Sequence, residues 1–222
     1  HNWTLLHDDI IDDDDTRRAG ATCHRLLERA TPGGPEVANA DLFGRNQAIL
    51  AGDILHAWSV DLLARSTENG VRPELAVTLL RYLCGELTPG LIAGEARDVQ
   101  YEWQGEAAPE DVLEMLRLKT ALLLRFAAET GAMIGLDTTD ESHPSVQALG
   151  TFAETTGLAF QLRDDVLGLF GEAGKLGKPI GADLRAGKPT LLHAEALARA
   201  KPTEKRLLQQ AFGDTTLDAS AL

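Results

Sequence analysis

The segment LLHDDIIDDDDTRR (residues 5–18) and the segment AFQLRDDVLG (residues 159–168) decide how this chain is interpreted. Each places adjacent aspartates within an apolar stretch that has the character of a helix. A carboxylate is unfavourable in apolar surroundings unless it is paired with a cation or binds a metal. Cationic residues follow both segments: Arg17 and Arg18 after the first, Lys178 and Lys188 after the second.

The spacing within each segment brings polar groups onto one helical face. Asp8 and Asp12 are four residues apart, as are Gln161 and Asp165, so each pair lies on one side of a helix. Proteins bind Mg2+ through one or two carboxylates together with waters and phosphate oxygens, and arginine and lysine neutralise the remaining phosphate charge. The pattern therefore predicts a metal-bridged diphosphate site. The predicted metal ligands are Asp8, Asp9, Asp12, Asp164 and Asp165.

A simpler interpretation exists for each cluster alone. The run Asp12–Asp15 could be the solvated acidic end of a helix, and Asp164 and Asp165 could be an exposed surface pair. For a single cluster this interpretation is as good as the functional one. Two clusters, each with helical spacing and its own cations, favour the functional interpretation.

Composition narrows the classes of function. The chain has 222 residues and a formal net charge of −13, which argues against nucleic acid or anionic lipid as the main partner. Its two cysteines, Cys23 and Cys84, indicate no disulfide framework and fit a reducing cytoplasm. We recognise no signal peptide and no apolar run long enough to cross a bilayer, so we expect a cytoplasmic protein without stable membrane insertion.

Apolar residues recur at helical spacing along most of the chain, and no alternating strand pattern competes. Stretches rich in glycine and proline separate the helical segments, and Pro89 with Gly90 is expected to kink the third helix. The sequence therefore predicts an all-α bundle. Helices are predicted over residues 1–14, 40–66, 73–102, 109–136, 144–170 and 188–213.

Several further segments accompany the two aspartate clusters. They are AILAGDILHAW (48–58), GEARDVQYE (94–102), LKTALLL (118–124), LGKPIGADL (176–184) and AGKPTLL (186–192). In order and approximate spacing, the whole set resembles the motifs of trans-type isoprenyl (polyprenyl) diphosphate synthases, with a likeness to geranylgeranyl diphosphate synthases. The resemblance extends from His1 to about Glu195.

This resemblance implies an isoprenoid synthase-type bundle of mostly antiparallel helices around a central cavity, in a single domain over residues 1–222. Members of the family have further helices on both sides of this region, including a basic segment that binds isopentenyl diphosphate, so we expect the intact protein to be longer. The implied reaction is head-to-tail (1′-4) prenyl transfer. An allylic diphosphate ionises, isopentenyl diphosphate attacks the allylic cation, and a proton is lost. Three Mg2+ ions per site are implied.

The resemblance also implies roles for individual residues. Arg17 matches a residue that contacts the allylic diphosphate, whereas Arg18 matches one that binds isopentenyl diphosphate. Thr120 and Gln161 match polar residues that line the pocket of the allylic cation. The other residues implied in diphosphate binding are Lys119, which is also implied in catalysis, Lys178 and Lys188.

Product length and assembly are further expectations from the family. Trp3 and Thr4 stand five and four residues before Asp8, and a bulky residue followed by a small one at those positions goes with products near C20. Geranylgeranyl diphosphate is therefore the expected product, with farnesyl diphosphate or longer chains as alternatives. The helix over residues 49–63 is apolar on more than one face, which together with the family predicts a homodimer.

Two other classes of function remain open, a terpene cyclase and a non-catalytic subunit of a heteromeric synthase. Lys119 and Arg18 favour elongation, because a cyclase needs no second diphosphate site, and subunits of that kind tend to lose the first aspartate motif. Glu95 and Asp98 are expected to support the metal ligands without binding the metal themselves. One departure is Gly168, which stands where the second motif usually has a third aspartate.

Overall fold

The computed structural model describes residues 1–171 and 181–216. The chain divides into two compact units, unit 1 (His1–Leu80) and unit 2 (Arg81–Leu222). Among the described residues the only strands form one hairpin of two residues on each side, and the rest of the regular structure is helical. The prediction of an all-α fold is confirmed.

Unit 1 is organised around one long helix, α3, against which α1 and α2 both pack. The hairpin connects α1 to α2, and α3 ends in a 3-10 turn over Arg65–Asn69. The elements are α1 (Asn2–Ile11), β1 (Thr16–Arg17), β2 (Gly20–Ala21), α2 (Cys23–Arg29), α3 (Ala40–Ala64) and the start of α4 (Pro73–Tyr82).

Unit 2 contains two long helical stretches that are each interrupted by a π-helical turn, at Leu83–Leu87 and at Arg117–Ala121. The helix α7 packs along α8, and a buried cluster around Val112 and Met115 joins α6 to α8 and α10. The elements are α5 (Thr88–Gln104), α6 (Pro109–Leu116), α7 (Leu122–Leu136), α8 (Pro144–Phe170), α9 (Ala182–Ala186), α10 (Leu191–Arg199) and α11 (Pro202–Ala211).

The π turn at Arg117–Ala121 is enclosed by two glycines on neighbouring helices. A Cβ atom at Gly94 of α5 would lie 2.5 Å from the backbone nitrogen of Lys119, and a Cβ at Gly157 of α8 would lie 2.9 Å from the Cα of Ala121. Side chains at these positions would push the helices apart. The two glycines therefore let α5 and α8 approach the π turn closely, and π turns of this kind are frequent at functional sites.

Two predicted helix boundaries were wrong. The first helix ends at Ile11 and not at residue 14, because Asp13 adopts a positive φ of 54° that an α-helix cannot continue. The predicted helix over 188–213 is two helices, because Pro202 has no N–H and disfavours helical geometry at the residue before it. Pro202 instead occupies the first turn of α11, where a missing N–H is tolerated.

The stretch Pro73–Gln104 corrects one further expectation. Among the described residues it is the one helical stretch that is long and apolar enough to cross a membrane by length and composition alone. Core helices of soluble proteins pass the same test, and this stretch has a buried face that includes Leu79, Leu83 and Leu87. A π turn over Leu83–Leu87 lies just before Pro89, and the kink at Pro89 and Gly90 stays a prediction.

Candidate active site

The first aspartate motif lies at the end of α1 and is bridged by Arg17 of the hairpin. The Arg17 Nε atom donates to Asp9 Oδ1 at 2.5 Å, and a terminal nitrogen donates to Asp8 Oδ2 at 2.8 Å. The Asp9 side chain is 4% exposed, so its carboxylate is removed from solvent. Burial raises the pKa of the Asp9 carboxyl, and the hydrogen bond and charge of Arg17 oppose this shift only in part.

Two arginines that sequence reasoning missed bind other aspartates of the acidic run. Arg25 of α2 donates to Asp15 at 2.6 Å and to Asp13 at 3.3 Å, and Arg45 of α3 also binds Asp13. Asp8 and Asp12 bring carboxylate oxygens within 4.8 Å of each other, as their four-residue spacing predicts. Asp13 and Asp15 therefore hold the loop against α2 and α3, whereas Asp8 and Asp12 have the geometry of a metal-binding pair.

The hairpin separates the two arginines of the pair. Arg17 lies in β1, whereas Arg18 and Ala19 occupy the turn with φ values of 52° and 62°. Two consecutive positive φ values are typical of a type I′ turn, which is unfavourable for residues other than glycine, asparagine and aspartate. The exposed Arg18 side chain thus leaves the backbone at the tip of the turn, whereas Arg17 is bound by the aspartates.

The predicted chain-length residues lie near the start of α1. The Trp3 ring contacts His56 of α3 edge-on at a centroid distance of 4.9 Å and His7 of α1 at 5.9 Å. The Thr4 hydroxyl donates to the carbonyl of His1 at 2.6 Å. Trp3 is therefore packed between two helices, and its proposed role as the floor of a product cavity stays a prediction.

In unit 2 the π turn places Lys119 against two acids of α5. Lys119 Nζ lies 2.6 Å from Asp98 Oδ2 and 3.0 Å from Glu95 Oε2. All three side chains are at least three-quarters buried, with exposed fractions of 22%, 13% and 20%. Glu95 and Asp98 hold Lys119 by ion pairs, a role that the sequence interpretation did not give them.

The neighbouring residue on the same turn begins a line of polar contacts. The Thr120 hydroxyl donates to Gln161 Oε1 at 3.4 Å, and Gln161 Nε2 donates to Asp165 Oδ1 at 3.2 Å. The structure thus brings together three residues from two of the predicted motifs. Because Asp165 accepts from the amide nitrogen, the carbonyl oxygen of Gln161 is turned toward Thr120.

Asp165 is the most unusual group of the second motif. Its residue is 7% exposed, and its Oδ2 atom is buried without a hydrogen-bond partner among the described residues. Burial raises the pKa of its carboxyl to about 6, the Gln161 hydrogen bond opposes the shift, and the negative charges of Asp183, Asp164 and Asp98 add to it. A buried, partly unsatisfied carboxylate among other acids is a typical cation-binding group.

The side chain of an acidic residue from α9 lies beside Gly168. A Cβ atom at Gly168 would lie 3.1 Å from Asp183 Oδ2, so the carboxylate of Asp183 occupies the space beside this glycine. The Gly181 N–H donates to the Gly168 carbonyl at 2.8 Å, which ties the start of α9 to the end of α8. Sequence reasoning missed Asp183, because nothing in the local pattern shows which turn of α8 it contacts.

Of the two lysines predicted to follow the second motif, the structure describes Lys188 but not Lys178. Lys188 follows α9, its backbone N–H donates to the Asp183 carbonyl at 2.9 Å, and its Nζ lies 3.9 Å from Glu102 Oε1. Lys178 lies outside the described residues. The structure thus links Lys188 to the segment that carries Asp183, and its role in diphosphate binding stays a prediction.

Behind the π turn, a set of ion pairs joins α7 to α8. Glu154 accepts from Arg117 at 3.0 Å and from Arg125 at 3.1 Å, and Arg125 also donates to Glu129 at 2.9 Å. The Tyr82 hydroxyl donates to the same Glu129, and burial raises its pKa. Tyr82, Arg117, Arg125 and Glu129 border a cavity of about 340 Å³. Through Arg117 these ion pairs tie the π turn that carries Lys119 and Thr120 to α8.

The residues present fit a hard divalent cation. Asp8 and Asp12 offer paired oxygens in unit 1, and the unsatisfied Asp165 Oδ2 offers a buried oxygen in unit 2. Oxygen ligands of this kind suit Mg2+, which keeps several of its waters. The cationic side chains Arg17 and Lys119 are both held by carboxylates, as expected for groups that can exchange one anion for another.

Comparison with known proteins extends this interpretation. The sequence pattern of the Polyprenyl synthetase family matches residues 1–222. A short chain isoprenyl diphosphate synthase of Methanocaldococcus jannaschii is 35% identical over 214 residues, covering 96% of this chain and 58% of that protein. A geranylgeranyl diphosphate synthase of Sulfolobus acidocaldarius is 31% identical over 223 residues, covering 100% and 61%.

Solved structures give the same result. The geranylgeranyl pyrophosphate synthetase of Pyrococcus horikoshii has a TM-score of 0.81 and 34% identity, with 97% of this chain and 58% of that chain covered. The geranylgeranyl pyrophosphate synthase of Corynebacterium glutamicum, complexed with isoprenyl diphosphate and magnesium, has a TM-score of 0.80 and 32% identity, with 99% and 60% covered. The chain thus spans about three fifths of the length of these relatives.

Proposed function

Because this chain belongs to the polyprenyl synthetase family, we propose that the protein joins isopentenyl diphosphate head to tail to an allylic prenyl diphosphate. The observation that carries the proposal is the contact line Thr120–Gln161–Asp165 beside the restrained Lys119. It combines a diphosphate-binding cation, two oxygen dipoles and a buried metal-binding acid. Those are the groups that ionisation of an allylic diphosphate requires.

In this proposal each group has a separate task. Lys119 binds the allylic diphosphate, while the oxygens of Thr120 and Gln161 stabilise the positive charge left on the prenyl carbon. Asp165 fixes the orientation of the Gln161 amide, so that its carbonyl oxygen and not its nitrogen is presented to the cation. Preorganised dipoles of this kind stabilise a developing charge without having to reorganise during the reaction.

The two aspartate motifs are proposed to act on the same diphosphate. Asp8, Asp9 and Asp12 of the first motif and Asp164 and Asp165 of the second would hold three Mg2+ ions. When bound, Mg2+ supplies neutralisation of the charge that develops on the leaving diphosphate. The proposed diphosphate-binding cations are Arg17 and Lys119 for the allylic substrate, Arg18 for isopentenyl diphosphate, and Lys178 and Lys188. We also propose that the chain forms one domain in a longer, cytoplasmic protein without stable membrane insertion.

The proposal is tested on the full-length protein. It is incubated with isopentenyl diphosphate and, in turn, dimethylallyl, geranyl and farnesyl diphosphate, with Mg2+ or with a chelator, and the products are analysed by mass spectrometry. We expect elongated diphosphates with Mg2+ and none with chelator. Cyclic hydrocarbons would instead identify a terpene cyclase, and the absence of any product from the folded protein would favour a non-catalytic subunit.

The proposed product is geranylgeranyl diphosphate. Support comes from relatives named geranylgeranyl diphosphate synthases and from Trp3 and Thr4. Relatives named farnesyl and geranylfarnesyl diphosphate synthases have similar sequence identity to this chain, so the relatives alone do not select the product. Replacement of Trp3 by alanine removes its packing against His56 and should lengthen the product without changing the Mg2+ requirement. The control is Trp103→Ala, since Trp103 is 89% exposed. An unchanged product distribution in Trp3→Ala would show that other residues limit chain length.

A homodimer is the proposed assembly. Four large apolar side chains on α3 stand at every fourth position and are exposed, so they form one stripe along the helix: Leu50, Ile54, Trp58 and Leu62. Exposed apolar stripes of this kind mark protein contacts. Light scattering of the full-length protein at micromolar concentration should give twice the monomer mass, and a strictly monomeric mass would contradict the proposal.

A further inference from the structure

Arg17 occupies the position of a cation between the first two aspartates of the first motif. Its guanidinium uses separate nitrogens for Asp9, at 2.5 Å, and for Asp8, at 2.8 Å. The side chains of Asp8 and Asp9 are 19% and 4% exposed, so solvent screens this contact little. Charge-assisted hydrogen bonds from one arginine to two carboxylates are among the stronger polar contacts in proteins.

This arrangement has a consequence for an entering metal ion. Arg17 binds one oxygen of each carboxylate, Asp9 Oδ1 and Asp8 Oδ2, and its positive charge repels a divalent cation that approaches these two groups at close range. A metal ion therefore competes with Arg17 for Asp8 and Asp9. Arginine binds phosphate as readily as carboxylate, with the same forked geometry, so an incoming diphosphate can take Arg17 away from the aspartates.

We propose that Arg17 makes metal binding to the first motif dependent on the diphosphate. In the substrate-free protein Arg17 neutralises Asp8 and Asp9 and keeps the affinity for Mg2+ alone low. A diphosphate draws the guanidinium onto its own oxygens and releases the carboxylates, so Mg2+ and diphosphate enter together. This role goes beyond substrate contact, and it rests on the proposed function insofar as the ligand is a diphosphate.

The position of Arg17 supports such an exchange. It lies in a two-residue strand of the hairpin, directly before the turn residues Arg18 and Ala19, whose positive φ values are unfavourable for their side chains. The Arg17 side chain is 31% exposed, so part of it is accessible from solvent while its hydrogen bonds point inward. A small change of the hairpin can therefore redirect the guanidinium without unfolding α1.

The test measures binding and not turnover. Isothermal titration calorimetry on the full-length protein compares Mg2+ alone, inorganic pyrophosphate alone and both together, for the wild type and for Arg17→Gln. We expect Arg17→Gln to bind Mg2+ alone about tenfold more tightly, because a repelling charge and a competitor are both removed. It should also lose the mutual enhancement between Mg2+ and pyrophosphate. A residue that only contacts substrate would not increase the affinity for the metal when it is removed.

A matched control and a second variant complete the experiment. Arg25→Gln removes an arginine that binds Asp13 and Asp15 in the same acidic run, and it should leave the affinity for Mg2+ alone unchanged. Arg17→Lys keeps the charge but loses the fork, and its affinity should fall between those of the wild type and Arg17→Gln. Arg17→Lys replaces Arg17→Gln in the experiment if the loss of the positive charge beside buried Asp9 prevents Arg17→Gln from folding.

The outcomes separate this inference from the proposed function. Unchanged or weaker binding of Mg2+ alone by Arg17→Gln, or by Arg17→Lys if only that variant folds, overturns the inference even if the wild type elongates prenyl chains. Tighter binding, with loss of the enhancement by pyrophosphate, supports it even if no elongation is found. A thermal shift with Mg2+ alone gives a second readout, because a metal that binds the folded state more tightly raises Tm further.

Discussion

The carboxylates of the two aspartate motifs have different partners. In the first motif, buried Asp9 and its neighbour Asp8 are bound by Arg17. In the second, among the described residues Asp165 accepts a hydrogen bond from the amide of Gln161 through one oxygen, and its other oxygen is unsatisfied, while Lys119 is bound by two acids of α5. The first motif is thus bound by a cation, whereas the buried acid of the second forms no ion pair with any of the described residues.

The comparison also concerns how burial acts on the carboxyl of each motif. Burial raises the pKa of both Asp9 and Asp165, but Arg17 opposes the shift at Asp9. At Asp165, nearby acids add to burial, and the pKa reaches about 6. A charged group, Arg17, thus opposes the effect of burial at Asp9, whereas at Asp165 the opposing contact among the described residues is the neutral amide of Gln161.

The largest expected effect follows from removal of a first-motif carboxylate. Asp8→Asn keeps the size of the side chain but removes a negative charge that we propose binds Mg2+ on the diphosphate. The elongation rate of the full-length protein should fall by at least about a thousandfold, the upper range for loss of one charge-stabilising group in a transition state. Steady-state assays with saturating Mg2+ measure this loss.

The control for this variant is Asp15→Asn, in the same acidic run. Asp15 is bound by Arg25 and its side chain is 73% exposed, so its replacement should change the rate less than about threefold. Equal losses in both variants would mean that the run acts through its total charge, and the selection of Asp8 over Asp15 would then be wrong.

A smaller effect is expected on stability at the second motif. Because the pKa of Asp165 is raised to about 6 from an ordinary value near 3.8, its ionisation destabilises the folded state as pH rises between these values. Above pH 6 the full penalty is present, of the order of 2–3 kcal/mol. Asp165→Asn should therefore be more stable than the wild type at pH 7.5 in chelator, and should lose that advantage near pH 4.

Urea unfolding at several pH values measures this difference, with Asp164→Asn as the control. Asp164 is exposed, so its neutralisation should alter the free energy of unfolding little. Saturating Mg2+ should stabilise the wild type more than Asp165→Asn, because the variant lacks one of the proposed ligands. If Asp165→Asn is less stable than the wild type at pH 7.5 without metal, the second motif has its own balancing cation, and its contrast with the first disappears.

Local patterns predicted much of this molecule. The all-α fold, most helix boundaries and the shared face of Asp8 and Asp12 follow from periodicity and spacing, because these are properties of neighbouring residues. The pairing of Asp13 with Arg45 could not be predicted in this way, since it joins residues 32 positions apart through the packing of α1 on α3. Nor does any spacing show that Asp183 lies beside Gly168.

The smallest effect concerns the glycine that departs from the usual second motif. Gly168→Asp would restore the usual third aspartate, but its Cβ would lie 3.1 Å from Asp183 Oδ2 and its carboxylate would face a like charge. We expect Gly168→Asp to lower the free energy of unfolding in chelator by about 1–2 kcal/mol. Gly168→Ala isolates the steric part. It should be neutral or slightly stabilising, since alanine favours a helix over glycine by roughly 0.5–1 kcal/mol and the end of the Asp183 side chain can move.

Replacement of Asp183 by alanine in the Gly168→Asp background should recover most of the lost stability, because both the contact and the repulsion are removed. The double-mutant cycle therefore measures the coupling between the two positions, and additive effects would show that Asp183 does not interact with residue 168. The same cycle sharpens the contrast between the motifs. If Mg2+ turns the coupling from repulsive to favourable, the second motif uses an external cation where the first has Arg17, and its acids tolerate one another only when that cation is bound.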